Sequence, residues 1–242
     1  MSARRCHNQL GFTVLEMLLA MSLSAWLLLT VIMLVGDLSQ HLHWQQAMTD
    51  LMDRENGLTQ WLPQRISQAG LSDCLKDKND RVQVIKGYGP HQSAPRWLTQ
   101  RKSQTEAVII SACRRYRGKQ QWINTAYYIA KTHYKNEWGQ PEYALYQKVE
   151  GGRREALVSG IEDWSIHYAL QLPSDNSQKS WLLASSVNDW HHVKLVSFNT
   201  LMRTRFKMLH TQTRYTWLGR IYTVPEGAFL TDVMITVALR EL

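Results

Sequence analysis

Cysteine is scarce in these 242 residues: Cys6, Cys74 and Cys113 make no CxxC pair and no Cys/His set with zinc-ligand spacing. That excludes a zinc ribbon and a thioredoxin-like redox site. The chain also has no GxSxG, Walker loop, GxGxxG or HExxH, so the common hydrolase, nucleotide-binding and metalloprotease signatures are absent. Charge of neither sign is concentrated. Lys and Arg exceed Asp and Glu by 28 to 20, and the resulting net +8 is spread along the chain. After residue 36 no long hydrophobic run recurs, so one segment alone can enter a bilayer, and a polytopic membrane protein is excluded. What is present is 44% hydrophobic residues with ten tryptophans, a composition that excludes a disordered tail and points to a well-packed, β-rich body.

The single long run is FTVLEMLLAMSLSAWLLLTVIMLV, from Phe12 to Val35, behind a short leader carrying Arg4 and Arg5 and ahead of Gly36 and Asp37. As a helix it would be roughly 36 Å long, enough to cross the ~30 Å hydrocarbon layer with some tilt. A cleaved secretory signal would have a hydrophobic core of about 7–15 residues ending in a small-x-small site, and neither condition is met. A twin-arginine signal, suggested only by Arg4 and Arg5, would also need a shorter core. Neither signal accounts for Glu16. A carboxylate deep in the membrane costs about 2.5–3.5 kcal/mol on insertion scales, so it calls for a partner.

The stretch Gly11-Phe12-Thr13-Val14-Leu15-Glu16 resembles the type III signal of type IV prepilins and pseudopilins: basic leader, glycine, an aromatic at the new N-terminus, and glutamate four residues later. The resemblance implies that a membrane aspartyl prepilin peptidase cuts after Gly11 and methylates the Phe12 amine, and that Glu16 is the assembly carboxylate. It also implies that Arg4 and Arg5 keep the leader in the cytoplasm, with everything after Gly36 in the periplasm of a single-pass inner-membrane protein. Four segments follow: a leader (1–11), a transmembrane helix (12–36), its amphipathic continuation (37–70) and a periplasmic head (71–242). Cys6 then leaves with the leader. Cys74 and Cys113 remain in an oxidising compartment, where an even count favours a bridge between them.

From Asp37 apolar residues recur mostly at three- or four-residue steps, Leu38, Leu42, Met48, Leu51, Met52, Leu58, Leu62, Ile66 and Ala69, which predicts that the helix continues against a folded head. Pro63 predicts a kink or break, and Gly70 a stop. The segment Leu62–Gly70 with Cys74 resembles the "IRxAG … C" region of PilW-type minor pilins. After a polar stretch (71–105), strand-like runs appear at 107–112, 122–130, 143–149, 164–170, 193–202 and 233–239, with Gly151-Gly152 as a turn. Their spacing is too short for βαβ crossovers, so one antiparallel sheet packed on the helix is expected. Glu142–Tyr146, Leu157–Glu162 and Trp164–Tyr168 resemble the pattern shared by PilW-type pilins and the J pseudopilin of type II secretion. The expected fold class is therefore α+β, pilin-like. Residues 204–232, with Tyr215, Trp217, Tyr222 and Phe229, match nothing in that pattern and read as an elaborated loop whose aromatics are core.

Metal chemistry finds little support. His41 and His43 lie two apart on a helix and point about 200° apart, while His191 and His192, read as strand, face opposite sides. Asp73, Asp77 and Asp80 are interleaved with Lys76, Lys78 and Arg81 and have no EF-hand glycine, so they read as a solvated loop. Arg114, Arg115, Arg117 and Lys119 beside Tyr116 and Trp122 combine charge with aromatics, as a strand-binding surface would. Scattered basic residues are equally ordinary on solvated faces. The resemblance thus implies a non-enzymatic minor pilin, without cofactor, that helps initiate and cap a type IV pilus. Its partners would be other minor pilins, the major pilin, prepilin peptidase, the inner-membrane assembly platform and a tip adhesin. The alternatives are a J-type pseudopilin and a DNA-binding competence pilin.

Overall fold

The computed structural model describes residues 13–69, 83–98, 100–116, 118–170, 180–208 and 212–239, with backbone alone at 114–116. One helix, α1 (Val14–Ile66), opens the described chain, and two compact units divide it, one up to Trp44 and one from Gln45. In the first unit the apolar side chains are exposed throughout, from Val14 at 78% to Trp44 at 41%. The stretch is long and apolar enough to cross a membrane. Three of its hydroxyls are satisfied within the helix. Ser22, Ser24 and Thr30 donate to the carbonyls of Leu19, Ala20 and Leu27, which removes their demand for water.

In the second unit Ala47, Leu51, Leu58, Leu62 and Ile66 repeat at four- and seven-residue steps and are all buried. From Leu51 onward this stripe joins the main core, with Ala47 the first buried residue of the helix; Leu38 and Leu42, read as part of the amphipathic face, are exposed, as is Met52. Pro63 does not end the helix. It falls one turn from the end, α1 runs through it to Ile66, and its carbonyl accepts from the Ser67 N–H at 2.8 Å. Gly70 lies outside the described residues.

Eleven strands follow among the described residues, and they make three antiparallel sheets where one was expected. β1 (Ile85–Tyr88), β2 (Ala107–Tyr116), β3 (Lys119–Lys135), β4 (Pro141–Val149) and β5 (Arg154–Ser159) form a meander in chain order. β6 (Ile161–Leu170), β7 (Trp181–Leu183), β8 (Val193–Arg203) and β11 (Leu230–Ala238) form a second sheet in the order β11-β8-β6-β7, while β9 (Arg214–Trp217) and β10 (Arg220–Thr223) make a separate hairpin. Five of the six strand-like runs lie wholly on strands and the sixth, 233–239, passes the end of β11 by one residue; Gly151-Gly152 falls in the turn between β4 and β5.

The main core joins the helix stripe to Val108, Ile110, Tyr127, Ile129 and Leu145 of the first sheet and to Trp164, Ile166, Phe198, Val233 and Ile235 of the second. The other face of the first sheet is also covered: Leu98, Ala107, Ile109, Tyr128 and Tyr146 form a second cluster. Burial on both faces explains why Thr125–Ala130 is buried without alternation, whereas β11, covered on one face over most of its length, alternates strictly from Val233 to Ala238. Residues 204–232 are not an elaborated loop. They contain the β9–β10 hairpin, whose Trp217 packs with Leu201, Val224, Ala228 and Leu230; of the aromatics read as core Trp217 is buried, while Tyr215, Tyr222 and Phe229 are half-buried against it or the main core. His191 and His192 lie in a short 3-10 turn (Trp190–His192), not on a strand, because Asp189 caps that turn through the His191 N–H.

Candidate functional site

At the start of α1 the Glu16 carboxylate reaches back to Thr13. Its Oε2 accepts from the Thr13 N–H at 3.0 Å and from the Thr13 hydroxyl at 3.1 Å, while Thr13 Oγ1 accepts from the Glu16 N–H at 3.3 Å. This is a reciprocal capping box, which closes the first helical turn and satisfies donors that would otherwise face an apolar environment. The signal for it, Thr-x-x-Glu before an apolar run, stands in the sequence, and the role of Thr13 was missed there. Both bonds to the carboxylate fall on Oε2. Gly11 and Phe12 lie outside the described residues.

Further along α1, Arg54 crosses from helix to sheets. It pairs with Asp50 at 2.7 Å, and its Nη1 donates to the carbonyls of Ser159 at 3.0 Å and Arg203 at 3.3 Å. The guanidinium needs space to reach them, and Gly160 provides it. This residue has φ +75°, and a Cβ there would fall 1.9 Å from Arg54 Nη1. Gly160 also ties three strands, donating to the Tyr143 carbonyl and accepting from the Arg203 N–H, each at 2.8 Å. The clasp thus holds the second half of α1 to the β5–β6 junction and to the end of β8.

Glu106, just before β2, joins the two large sheets. Only 6% exposed, it accepts from the Ile166 N–H at 2.6 Å, and its own carbonyl accepts from Trp164 Nε1 at 2.8 Å. Burial pushes its carboxyl up to about 7, and nearby Asp163 pushes in the same direction. Asp163 is itself raised by burial, although it accepts from the Tyr222 hydroxyl and the Trp164 N–H, each at 2.8 Å. Tyr222 is raised by burial and by that carboxylate, so the bond fastening the hairpin to β6 stays protonated through the physiological range.

Of the other residues singled out from sequence, Cys113 is buried on β2 opposite Trp122 and is disulfide-bonded, while Cys74 lies outside the described residues. Arg114 and Arg115 pair through their backbones with Gln121 and Gln120 near the β2–β3 turn, at whose far side Lys119 is exposed. Arg117 and Asp73, Asp77 and Asp80 lie outside the described residues. No group of three or more His, Cys, Asp or Glu among the described residues is placed to hold a metal.

The family comparison falls within the head. Residues 126–241 match the family model described as "Type IV Pilus-assembly protein W", a stretch that begins within β3 and ends just past β11. No curated protein matches the chain. Among solved structures, a type IV-like pilin from Thermus thermophilus is similar over 78% of this chain and 96% of its own, at 12% identity and a TM-score of 0.44. The family match supports the reading of the chain as type IV pilin-like, a structural rather than a catalytic class.

Proposed function

We infer that this type IV pilin-like chain is a minor pilin of a type IV pilus, cut between Gly11 and Phe12, methylated on the Phe12 amine and held in the inner membrane by the first stretch of α1 with its head periplasmic. One observation carries the reading. The prepilin signal occupies residues 11–16 and the match to a pilus-assembly family occupies residues 126–241, so the two share no residue and point to the same class. The family description names pilus assembly, which favours a pilus over a J-type pseudopilin. The basic cluster at 114–119 is the sole sequence feature pointing to DNA binding, and neither the family match nor the described residues add to it.

The chemistry follows from the capping box. In the mature chain Thr13 becomes the second residue, and because both bonds from Thr13 fall on Oε2, Oε1 of the Glu16 carboxylate is available to a neighbour. An N-terminal ammonium of an adjoining pilin neutralises it there, which draws the incoming subunit into one register and disfavours others. In the head, Cys113 carries a disulfide, and with Cys6 removed in the leader we assign Cys74 as its partner. The head acts through its surfaces on other minor pilins, the major pilin and a tip adhesin, and the processed helix on prepilin peptidase and the assembly platform. Glu16→Ala tests the account. It should be processed, stay in the membrane and keep the melting temperature of its head, yet lose co-purification with partner pilins; assembly at the wild-type level would refute the role of the carboxylate.

A further inference from the structure

We propose that the free edge of β11 pairs with the same strand of a second copy of this chain, joining two heads through one continuous antiparallel sheet. The proposal does not rest on the pilin reading. The Leu239 N–H donates to the Lys194 carbonyl at 2.8 Å, which fixes the parity of the β11–β8 ladder. Hydrogen bonds to β8 come from 231, 233, 235 and 237, and the N–H and C=O groups of Leu230, Asp232, Met234, Thr236 and Ala238 face away from it. Leu230 is capped, since its N–H donates to Gln212 Oε1 at 3.0 Å. The main chain of the remaining four meets no strand among the described residues, because β11 ends its sheet.

The other edges of the two large sheets are guarded, as natural edges usually are. β7 has three residues. β1 has four, carries Lys86 and packs against the 3-10 turns Ala184–Ser186 and Trp190–His192. β5 carries Arg154 and Glu155, and its pairing with β4 is bulged. β11 has nine residues, no Pro, Lys or Arg, and no register shift against β8. Its outward side chains are Asp232, Met234, Thr236 and Ala238, with Met234 71% exposed.

Alternating donors and acceptors at strand spacing are satisfied by another extended main chain, and the side chains indicate a copy of the same one. When two β11 strands run antiparallel about a twofold axis at Ile235, Met234 faces Thr236 and Asp232 faces Ala238, so all four edge residues meet edge residues and each facing pair exchanges two hydrogen bonds. On the inner face Val233 meets Val237 and Ile235 meets itself, extending an apolar surface. The charges also fit. The two Asp232 carboxylates lie at opposite ends of the paired strands, about 20 Å apart at ~3.4 Å per residue, where repulsion is screened.

The test uses the full chain in detergent. Sedimentation equilibrium should show a dimer for wild type, and Thr236→Pro should weaken self-association at least ~30-fold, since it removes an outward N–H and leaves the bonds to β8 in place. Its melting temperature checks that the head is folded; if it fails to fold, Thr236→Lys serves instead. A mixture of Met234→Cys and Thr236→Cys chains should form a mixed disulfide dimer on oxidation, because facing residues lie ~5.5 Å apart between Cα atoms, while each variant alone should form little. A monomeric wild type, a dimer unaffected by Thr236→Pro or its lysine substitute, or equal cross-linking of each cysteine variant alone would overturn the proposal.

Discussion

Two stretches of one helix use the same residue types to opposite ends. In Val14–Trp44 leucines, methionines and valines are exposed all round, and the informative residue is Glu16, the carboxylate within the first helical turn. In Gln45–Ile66 the buried apolar residues narrow to one stripe, with Met52 left exposed off it, and the informative residue is an arginine that fills the space above a glycine. An all-round apolar surface needs an apolar solvent, and a stripe needs a partner surface. Function in the first stretch is therefore written in consecutive residues, whereas in the second it is written in contacts far apart in sequence.

The comparison can be strained most at the head's covalent link. Replacing Cys74 and Cys113 by serine should lower head stability by roughly 4 kcal/mol in the chain-entropy account, for a loop of about 40 residues, while leaving membrane insertion untouched. Denaturant unfolding of oxidised wild type and variant measures it; an unchanged midpoint would show that the proposed bridge does not hold the fold.

Leucines of the two stretches give a direct contrast. Leu62→Ala, at a position with 0% exposure, should cost about 3 kcal/mol, whereas Leu28→Ala, 63% exposed, should leave the head's melting temperature unchanged. Equal effects would erase the distinction between the stretches.

The buried seam at Glu106 predicts an unusual pH dependence. Its carboxyl titrates near 4.5 when unfolded and at about 7 in the head, so between those values the native state holds a proton that the unfolded chain has released. Stability from this group is therefore full below about pH 4.5 and falls as pH rises to about 7, by up to about 3 kcal/mol. Asp163, raised as well, acts in the same direction. Thermal melts at pH 5 and pH 8 should differ accordingly, and Glu106→Gln, which keeps an acceptor for Ile166, should flatten the difference. A head more stable at pH 8 would contradict the assignment.

A smaller effect is expected at the clasp. Gly160→Ala places a Cβ against Arg54 in a backbone region that disfavours it, at a cost of about 2 kcal/mol; the double variant with Arg54→Ala should recover the steric part. Full additivity of the two changes would mean that the arginine and the glycine do not share this space.

Strands with long apolar runs were legible in the sequence, because Ala107–Ala112 or Val193–Met202 cannot be satisfied except by burial. The short ones were not. β1, β7, β9 and β10 have three or four residues each, below the length at which alternation is distinguishable from chance. The β9–β10 hairpin was hidden further by its turn, where Leu218 takes φ +47° ahead of Gly219 at +76°, a place where Asn or Asp is the usual signal. The division into three sheets was also not legible, since the break between the two large ones is the single residue Gly160. At the candidate site, Gly11, Phe12 and Glu16 fall in one short signal, while Arg54 and Glu106 acquire their roles through partners roughly 60 to 150 residues away, and Gly160 through its contact with Arg54.

The central claim, that this chain is processed as a prepilin, is tested most directly by the mass of its N-terminal peptide, isolated from membranes of cells containing prepilin peptidase. The account predicts a peptide beginning at Phe12 and heavier by one methyl group, with the full leader retained when the peptidase is absent. A mature chain that begins at Met1 in the presence of the peptidase, or one cut after Gly36, would contradict it.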